Sequence, residues 1–385
     1  MKLTERLYDN GHIKEFEAKV LECVKVEKGF NLVLDKTAFF PNGGGQLADG
    51  GMIDNANVLD VNEENGVIVH LVDKEFNPGD SIFGKIDWET RFRRMQNHTG
   101  EHIVCGVAHR LFGCENTGFH MGTFGITADL SVLLNDEQVR QIELEANKAV
   151  FANTKVNCFY PSESELKTLN YRSKLELTEN VRLVEIEGCD LCACCAPHVL
   201  YTGEVGIIKF LEHSSNRGGT RLLLKCGLDA LEDLCAKCDS VAAISASLCS
   251  PQSDIVSAVE ALKQEKAKAD YELEAIKRSG IKKYVERLKK SENNVCVFAD
   301  EADMDGLREI VNAGKTLCGG IFGAFAVDNG GYKYCLGSES VDLRSFAKEF
   351  NSALKGRGGG RPEMIQGSLT ADKQSIMDFL KAEEQ

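Results

Sequence analysis

The chain lacks an excess of positive charge: among its 385 residues, 59 acidic side chains outnumber 45 lysines and arginines, for a net charge of -14. Bulk, non-specific coating of nucleic acid needs a basic face and is excluded on that ground, although a local basic groove is not. The opening stretch, Met1-Lys-Leu-Thr-Glu-Arg-Leu-Tyr-Asp-Asn10, has no apolar signal core. The longest apolar run, Cys318 to Val327, is too short and too rich in glycine to span a bilayer. There is no internal repeat and no low-complexity tract. A cytoplasmic location in a reducing environment is therefore expected. The 15 cysteines then read as small buried hydrophobes with a few metal ligands among them, not as a disulfide framework.

What is present points to a metal. His98-Thr-Gly-Glu-His102 places two imidazoles four residues apart, on one face of a helix. Far downstream, Cys189-Asp-Leu-Cys-Ala-Cys-Cys-Ala-Pro-His198 packs four thiols and an imidazole into one short run. His98, His102, Cys194 and His198 together make a full tetrahedral set for one zinc ion. Alternatives remain open for each half. His98-Thr-Gly-Glu-His102 is also a literal H-x-x-E-H, in which Glu101 is the general base of a zinc peptidase. That enzyme needs a downstream carboxylate as third ligand, with Glu176, Glu179 and Glu185 available, and leaves Cys194 and His198 unexplained. The cysteine run is also open to reading as clustered buried thiols. An all-thiolate zinc site from Cys189, Cys192, Cys194 and Cys195 is awkward, because its last two thiols are adjacent in sequence.

The length exceeds one compact core and fits two or three domains. Residues 1–90 read as β-rich, with Phe30–Leu34 and Gly66–Val72 as short apolar runs between glycine turns. Residues 91–228 mix helix and strand, with helices expected over Arg91–Phe112 and Leu133–Asn153. Residues 229–293 carry Ile255, Val259, Leu262, Lys266, Ala269, Leu273 and Ile276 at heptad spacing, which fits an amphipathic helix, a helical hairpin or a dimerising coil. Residues 294–385 alternate strand, helix and strand, a small α/β domain. The fold class expected is α+β: a barrel-like N-terminal unit, a zinc-binding α+β core, a helical connector and a C-terminal α/β domain.

The motifs Leu34-Asp-Lys-Thr-Ala-Phe-Phe-Pro-Asn-Gly-Gly-Gly-Gln46, Asp49-Gly-Gly51, Asp87-Trp-Glu-Thr-Arg91, His98-Thr-Gly-Glu-His102 and Cys194-Cys-Ala-Pro-His198, in that order, resemble the editing domain of alanyl-tRNA synthetase. They look still more like the long form of the freestanding alanyl-tRNA editing proteins. The segment Lys355-Gly-Arg-Gly-Gly-Gly-Arg-Pro-Glu-Met-Ile-Gln-Gly367 is similar to the glycine-rich signature of the synthetase C-terminal domain, shared with DHH-type phosphoesterases. The resemblance covers nearly the whole chain. It departs from the family at Ala196 and Pro197, where Gly and Thr are usual, and at Glu101, where a small or neutral residue is frequent.

The resemblance implies a zinc-dependent aminoacyl-tRNA deacylase. It would remove serine, and in several family members glycine, from tRNA for alanine. His98, His102, Cys194 and His198 would hold one Zn2+ per chain, which either activates water, polarises the ester carbonyl or orients the substrate end. Glu101 is open to a role as base, as a partner of a ligand histidine, or as a solvated helix residue. Thr37 and Gln46 flank the glycine turn, and Thr37 is the candidate contact for a serine hydroxyl. Gly44 and Gly45 would let backbone amides approach the ester. The basic loop bearing Lys355, Arg357 and Arg361 would contact the tRNA backbone, while Arg221 is open to a substrate-binding role near the active site or to a structural one. No Gly-Lys-Ser/Thr follows that loop, so it is not a Walker loop. A homodimer through the connector or the C-terminal domain is a further expectation. A peptidase and a non-catalytic tRNA-binding module with structural zinc are the competing functions.

Overall fold

A computed structural model describes residues 3–173 and 181–385. The chain divides into two compact units, Met1–Ala243 and Ile244–Gln385. No helix among the described residues is long and apolar enough to cross a membrane.

The first unit's barrel has six strands, β1 (Glu15–Val26), β2 (Gly29–Leu34), β3 (Gly51–Ile53), β4 (Ala56–Glu64), β5 (Val67–Val72) and β6 (Ser81–Ile86), beside a short parallel pair, Glu5–Arg6 with Lys36–Thr37. The six close into an antiparallel barrel in the order β1-β2-β5-β4-β3-β6. Alternating burial along β1 and β6 gives the period of two that a barrel wall requires. Leu32, Leu34, Phe39, Ile53, Val61 and Ile68 fill the interior. Between β2 and β3 runs a loop from Phe40 to Asp49, closed at its base by two bonds: Phe40 N–H donates to Asp49 Oδ2 (2.6 Å) and Asp49 N–H donates to the Phe40 carbonyl (3.0 Å).

Helix α1 (Trp88–Phe112) follows the barrel. Asp87 caps its first turn, and Gly113 ends it in the left-handed conformation. Its middle is buried on all sides, from Met95 to Ala108, so it forms the axis of the second core and is not a surface helix. Around it lie β7 (Asn116–Met121), β8 (Ile126–Leu130), α2 (Asp136–Phe151), β9 (Val156–Phe159), β10 (Leu183–Ile186), β11 (Asp190–Ala193), β12 (Ile208–Asn216) and β13 (Gly219–Cys226). These strands form two antiparallel sheets, β12-β13-β8-β7 and β9-β10-β11. Helix α3 (Gly227–Ser247) then leads out of the unit.

The barrel is fixed to α1 by Arg91, which is fully buried. Its guanidinium pairs with Asp49 (Nε to Oδ1, 2.8 Å) and donates to the carbonyls of Gly11 (3.1 Å) and Ala38 (2.6 Å). A buried arginine is tolerable only when its donors are satisfied in this way.

The second unit contains α4 (Ile255–Arg287), β14 (Asn294–Phe298), α5 (Met304–Gly314), β15 (Phe322–Asp328), β16 (Gly331–Gly337), α6 (Leu343–Ala353), β17 (Arg357–Arg361), β18 (Met364–Leu369), α7 (Lys373–Leu380) and β19 (Ala382–Glu384). Its mixed sheet has the order β17-β18-β16-β15-β14-β19. The heptad residues lie on α4, a single 33-residue helix whose Leu262, Leu273 and Ile276 are exposed. The glycine-rich basic segment expected as a loop is instead the edge strand β17. Its five residues pair with β18 from Arg357↔Ser368 to Arg361↔Met364. Extended pairing wins over glycine's loop preference because side chains would collide there: a Cβ on Gly358 would fall 2.3 Å from the Gln366 carbonyl and 2.3 Å from the Tyr334 hydroxyl.

Candidate metal centre and adjoining cavity

Three elements of the first unit converge on one point. Helix α1 supplies His98 and His102, one turn apart. The segment after β11 supplies Cys194 and His198. The barrel loop supplies Gln46. Cys194 Sγ lies 3.5 Å from His98 Nε2 and 3.4 Å from His198 Nε2. A tetrahedral zinc with Zn–S of about 2.3 Å and Zn–N of about 2.0 Å separates sulfur and nitrogen by roughly 3.5 Å, so these edges have the length the ion demands. The four donor atoms all lie within 4.8 Å of one another.

The imidazoles are also oriented for a metal. His98 Nδ1 bonds Gln46 Oε1 (2.9 Å), His102 Nδ1 bonds Asp190 Oδ2 (3.1 Å), and His198 Nδ1 bonds Thr99 Oγ1 (2.9 Å). Holding Nδ1 in each ring presents Nε2 as the ligand and fixes its direction. Asp190 is gripped in turn by Arg172 through Nε and Nη2, both at 2.7 Å. The close approach of α1 to the start of β11 depends on Gly106, where a Cβ would lie 2.4 Å from the Cys189 carbonyl.

The electrostatics fit a cation. Burial opposes ionisation of Cys194, but His98 and His198 beside it and hydrogen bonds from His102 and His198 hold its thiol well below the usual range. Burial pushes His198 down to about 3, so it is a neutral donor. Burial also opposes charge on His102, yet Cys192, Asp190 and Cys194 outweigh it and raise that imidazole well above its ordinary value. A thiolate beside three imidazoles, with a carboxylate behind His102 whose charge a bound cation would replace, is a donor set for a borderline cation such as zinc.

Beside the four donors opens a cavity of about 470 Å³, lined among others by Gly44, Gly45, Glu101, Asn116, Phe119 and Cys195. Gly44 and Gly45 adopt φ of +59° and +83° in the turn closed by reciprocal bonds between Gly43 and Gln46 (3.1 and 2.9 Å). At Gly45 a Cβ would also strike Phe119 at 2.7 Å, so only glycine fits that position.

Several residues expected at the site lie elsewhere. Thr37 is fully buried in the barrel, where its Oγ1 bonds His70 Nε2 (2.8 Å) and accepts from Phe39 N–H (3.1 Å). It is not among the residues lining the cavity. Arg221, on β13, is tied to Asp129 across the sheet (2.6 and 2.7 Å) and does not line the cavity. Lys355, Arg357 and Arg361 belong to the second unit. Glu185 accepts from Asn157 Nδ2 (3.3 Å) and does not join the donors, while Glu176 and Glu179 lie outside the described residues. The peptidase reading thus has no carboxylate ligand among the described glutamates, whereas Cys194 completes the set. Of the clustered thiols, Cys194 is the one grouped with all three histidines. Cys192 falls in a different grouping with His102 and Asp190.

Sequence reasoning missed Thr99, Asp190, Arg172 and Asn116. Thr99 and Asp190 were inside the motifs already marked, and a lone acid within a cysteine run was a signal for a histidine-orienting carboxylate. The Ala196-Pro197 departure also has a physical reason. Ala196 is fully buried against the barrel core, and Pro197 lies 3.3 Å from the position of a Cβ on Gly11. Arg182 fixes the segment by donating to the Cys194 (3.0 Å) and Ala196 (2.9 Å) carbonyls.

Comparison with known proteins gives the chain's relatives. Residues 5–90 match the family described as tRNA synthetases class II (A). Residues 181–223, which contain Cys194 and His198, match the threonyl and alanyl tRNA synthetase second additional domain. Residues 280–385 match the DHHA1 domain. The alanine-tRNA ligase of Pyrococcus abyssi is 30% identical over 399 residues, covering 97% of this chain and 43% of that protein. The alanine-tRNA ligase of Ignicoccus hospitalis is 29% identical over 378 residues, covering 93% and 40%. That of Halobacterium salinarum is 36% identical over 248 residues, covering 60% and 27%. The chain therefore spans less than half the length of the curated relatives it matches.

Proposed function

Because this chain is an alanyl-tRNA-synthetase-like protein, similar to the editing and C-terminal regions of those enzymes, we propose that it is a zinc-dependent deacylase of mischarged tRNA for alanine, with the seryl ester as main substrate and the glycyl ester as second. The observation that carries the reading is the convergence of His98, His102, Cys194 and His198 beside a cavity of about 470 Å³. Zinc held there supplies positive charge and Lewis acidity beside the ester.

The chain's own residues do the rest. Gln46, Asp190 and Thr99 keep the three imidazoles in the ligand orientation, so that little reorganisation accompanies reaction. Gly44 and Gly45 present backbone without side chains to the cavity, which lets the terminal ribose and its ester come close. Phe119 and Val181 give the cavity apolar walls that displace water from the ester. Discrimination of serine from alanine requires a polar contact to the hydroxyl from the cavity lining. The basic strand β17 and Lys355, in the second unit, are the surface proposed for the tRNA phosphates.

The test is deacylation of seryl-tRNA and alanyl-tRNA for alanine by the wild type and His102→Ala, with zinc measured in both. Expected are rapid loss of serine, sparing of alanine, and loss of both zinc and activity in the variant. A zinc-loaded wild type that cleaves neither ester would overturn the proposal.

A further inference from the structure

Glu101 has no part in the donor set, yet it is 3% exposed at the cavity wall. It follows His98 by three residues on α1, so its side chain shares the face that carries the ligands. Its Oε1 accepts from Asn116 Nδ2 and from Cys105 Sγ (3.4 Å). Asn116 is itself held by β7, accepting from Gly118 N–H at its Oδ1 (3.0 Å). The carboxylate is thus fixed through one oxygen. The other, Oε2, stands 3.9 Å from His102 Nε2, the atom that belongs to the metal.

The rest of the lining makes this carboxylate distinctive. It is the one acidic side chain among the described residues that line the cavity. The cations of the lining are already matched elsewhere: Arg6 to Glu63 (2.6 Å), Arg172 to Asp190 (2.7 Å) and Arg182 to Asp9 (3.4 Å). Among the described residues, the one basic group beside Glu101 is His102, whose Nε2 belongs to the donor set, so Oε2 has no ammonium or guanidinium group of its own and can take one. An aminoacyl ester brings one. Its α-amino group is cationic at and below neutral pH and is one carbon removed from the reacting carbonyl.

Resting on the deacylase reading, we propose that Glu101 is the receptor for the substrate's α-ammonium group. Asn116 holds Oε1, and Oε2 receives the ammonium N–H, so the ester is placed against the donor cluster by its own charge. The role differs from that of a general base, which would act on water and be indifferent to the amino group. It makes the enzyme selective for esters with a free amino group.

The experiment compares seryl-tRNA with its hydroxy-acid isostere, in which a hydroxyl replaces the α-amino group, on the full-length zinc-loaded chain at pH 6.5. Each rate is divided by the spontaneous hydrolysis of the same ester. The wild type should accelerate the amino ester at least tenfold more than the isostere, and Glu101→Gln should bring that ratio to near one while keeping its zinc. Equal acceleration of both esters by the wild type would overturn the inference and leave the deacylase reading standing. A Glu101→Gln enzyme slowed equally on both esters, with the wild-type ratio intact, would also overturn it and assign the base role. Cleavage of neither ester by the wild type would remove the deacylase reading itself.

Discussion

The chain contains two runs of three consecutive glycines, Gly43–Gly45 and Gly358–Gly360, and they fold in opposite ways. The first is a tight turn with two residues at positive φ, inside a loop whose base is sealed by Asp49 and, behind it, the buried Arg91. The second is a fully exposed edge strand with ordinary extended backbone. Glycine permits both conformations and dictates neither. In the turn, the surroundings demand a left-handed backbone under Phe119. In the strand, they demand the absence of a Cβ against Tyr334 and the β18 carbonyls. The first run is held by Asp49 and Arg91, buried and paired with one another, and faces the metal donors. The second offers side-chain-free backbone between Arg357 and Arg361, held on one side by its pairing with β18. One is a rigid wall of a small site, and the other is an open surface suited to a large, charged partner.

The largest effect should come from breaking the seal of the first run. Arg91→Leu removes the cation and leaves the Asp49 carboxylate buried without its partner, at a cost of about 3–5 kcal/mol. Urea unfolding should show that loss. A loss below about 1 kcal/mol would mean that Asp49 finds another donor and that the Phe40–Asp49 loop does not depend on Arg91.

A smaller effect separates the units by pH. All 8 histidines lie in the first unit. His70, fully buried in the barrel with Thr37, is pushed by burial down to about 4 from an ordinary 6.5. Between those values the unfolded chain binds a proton that the folded barrel refuses, so stability is lost as pH falls from 6.5 toward 4. For a group so buried the difference corresponds to about 3 kcal/mol. Unfolding midpoints of the wild type should fall across that window, and His70→Leu should flatten this part of the slope. An unchanged slope in the variant would remove His70 as the cause.

The grouping of the four candidate donors was legible in the sequence because their spacing is set by local geometry: His98 and His102 by one helical turn, Cys194 and His198 by a short segment. Gln46 was legible from its place after the glycines. The surroundings of Thr37 were not legible, because it sits on the two-residue strand Lys36–Thr37 paired with Glu5–Arg6 and its partner His70 is 33 positions away. Arg221 was left open between a site role and a structural one, because its partner Asp129 lies on another strand. Asp190 and Thr99 bond histidines far from them in sequence, so the marked motifs contained both residues but only the fold shows which imidazole each one holds. The strand β17 read as a loop because glycine's propensity was weighed without the register to β18, which supplies the constraint.

The smallest effect on stability is expected at the open run, and it is informative for that reason. A Cβ on Gly359 meets nothing within 4 Å, and the residue is not among those at positive φ. Gly359→Ala should therefore leave stability within about 0.5 kcal/mol of wild type, or raise it slightly by restricting the unfolded chain. If the bare backbone exists to let phosphates approach, the same methyl group will weaken tRNA binding, measured by titration at fixed salt, without touching the fold. Arg357→Ala with Arg361→Ala should then weaken binding further and reduce the salt dependence by up to about two phosphate contacts. Unchanged tRNA affinity in both variants would break the comparison, since the second run would then have no more claim on nucleic acid than any other glycine-rich strand.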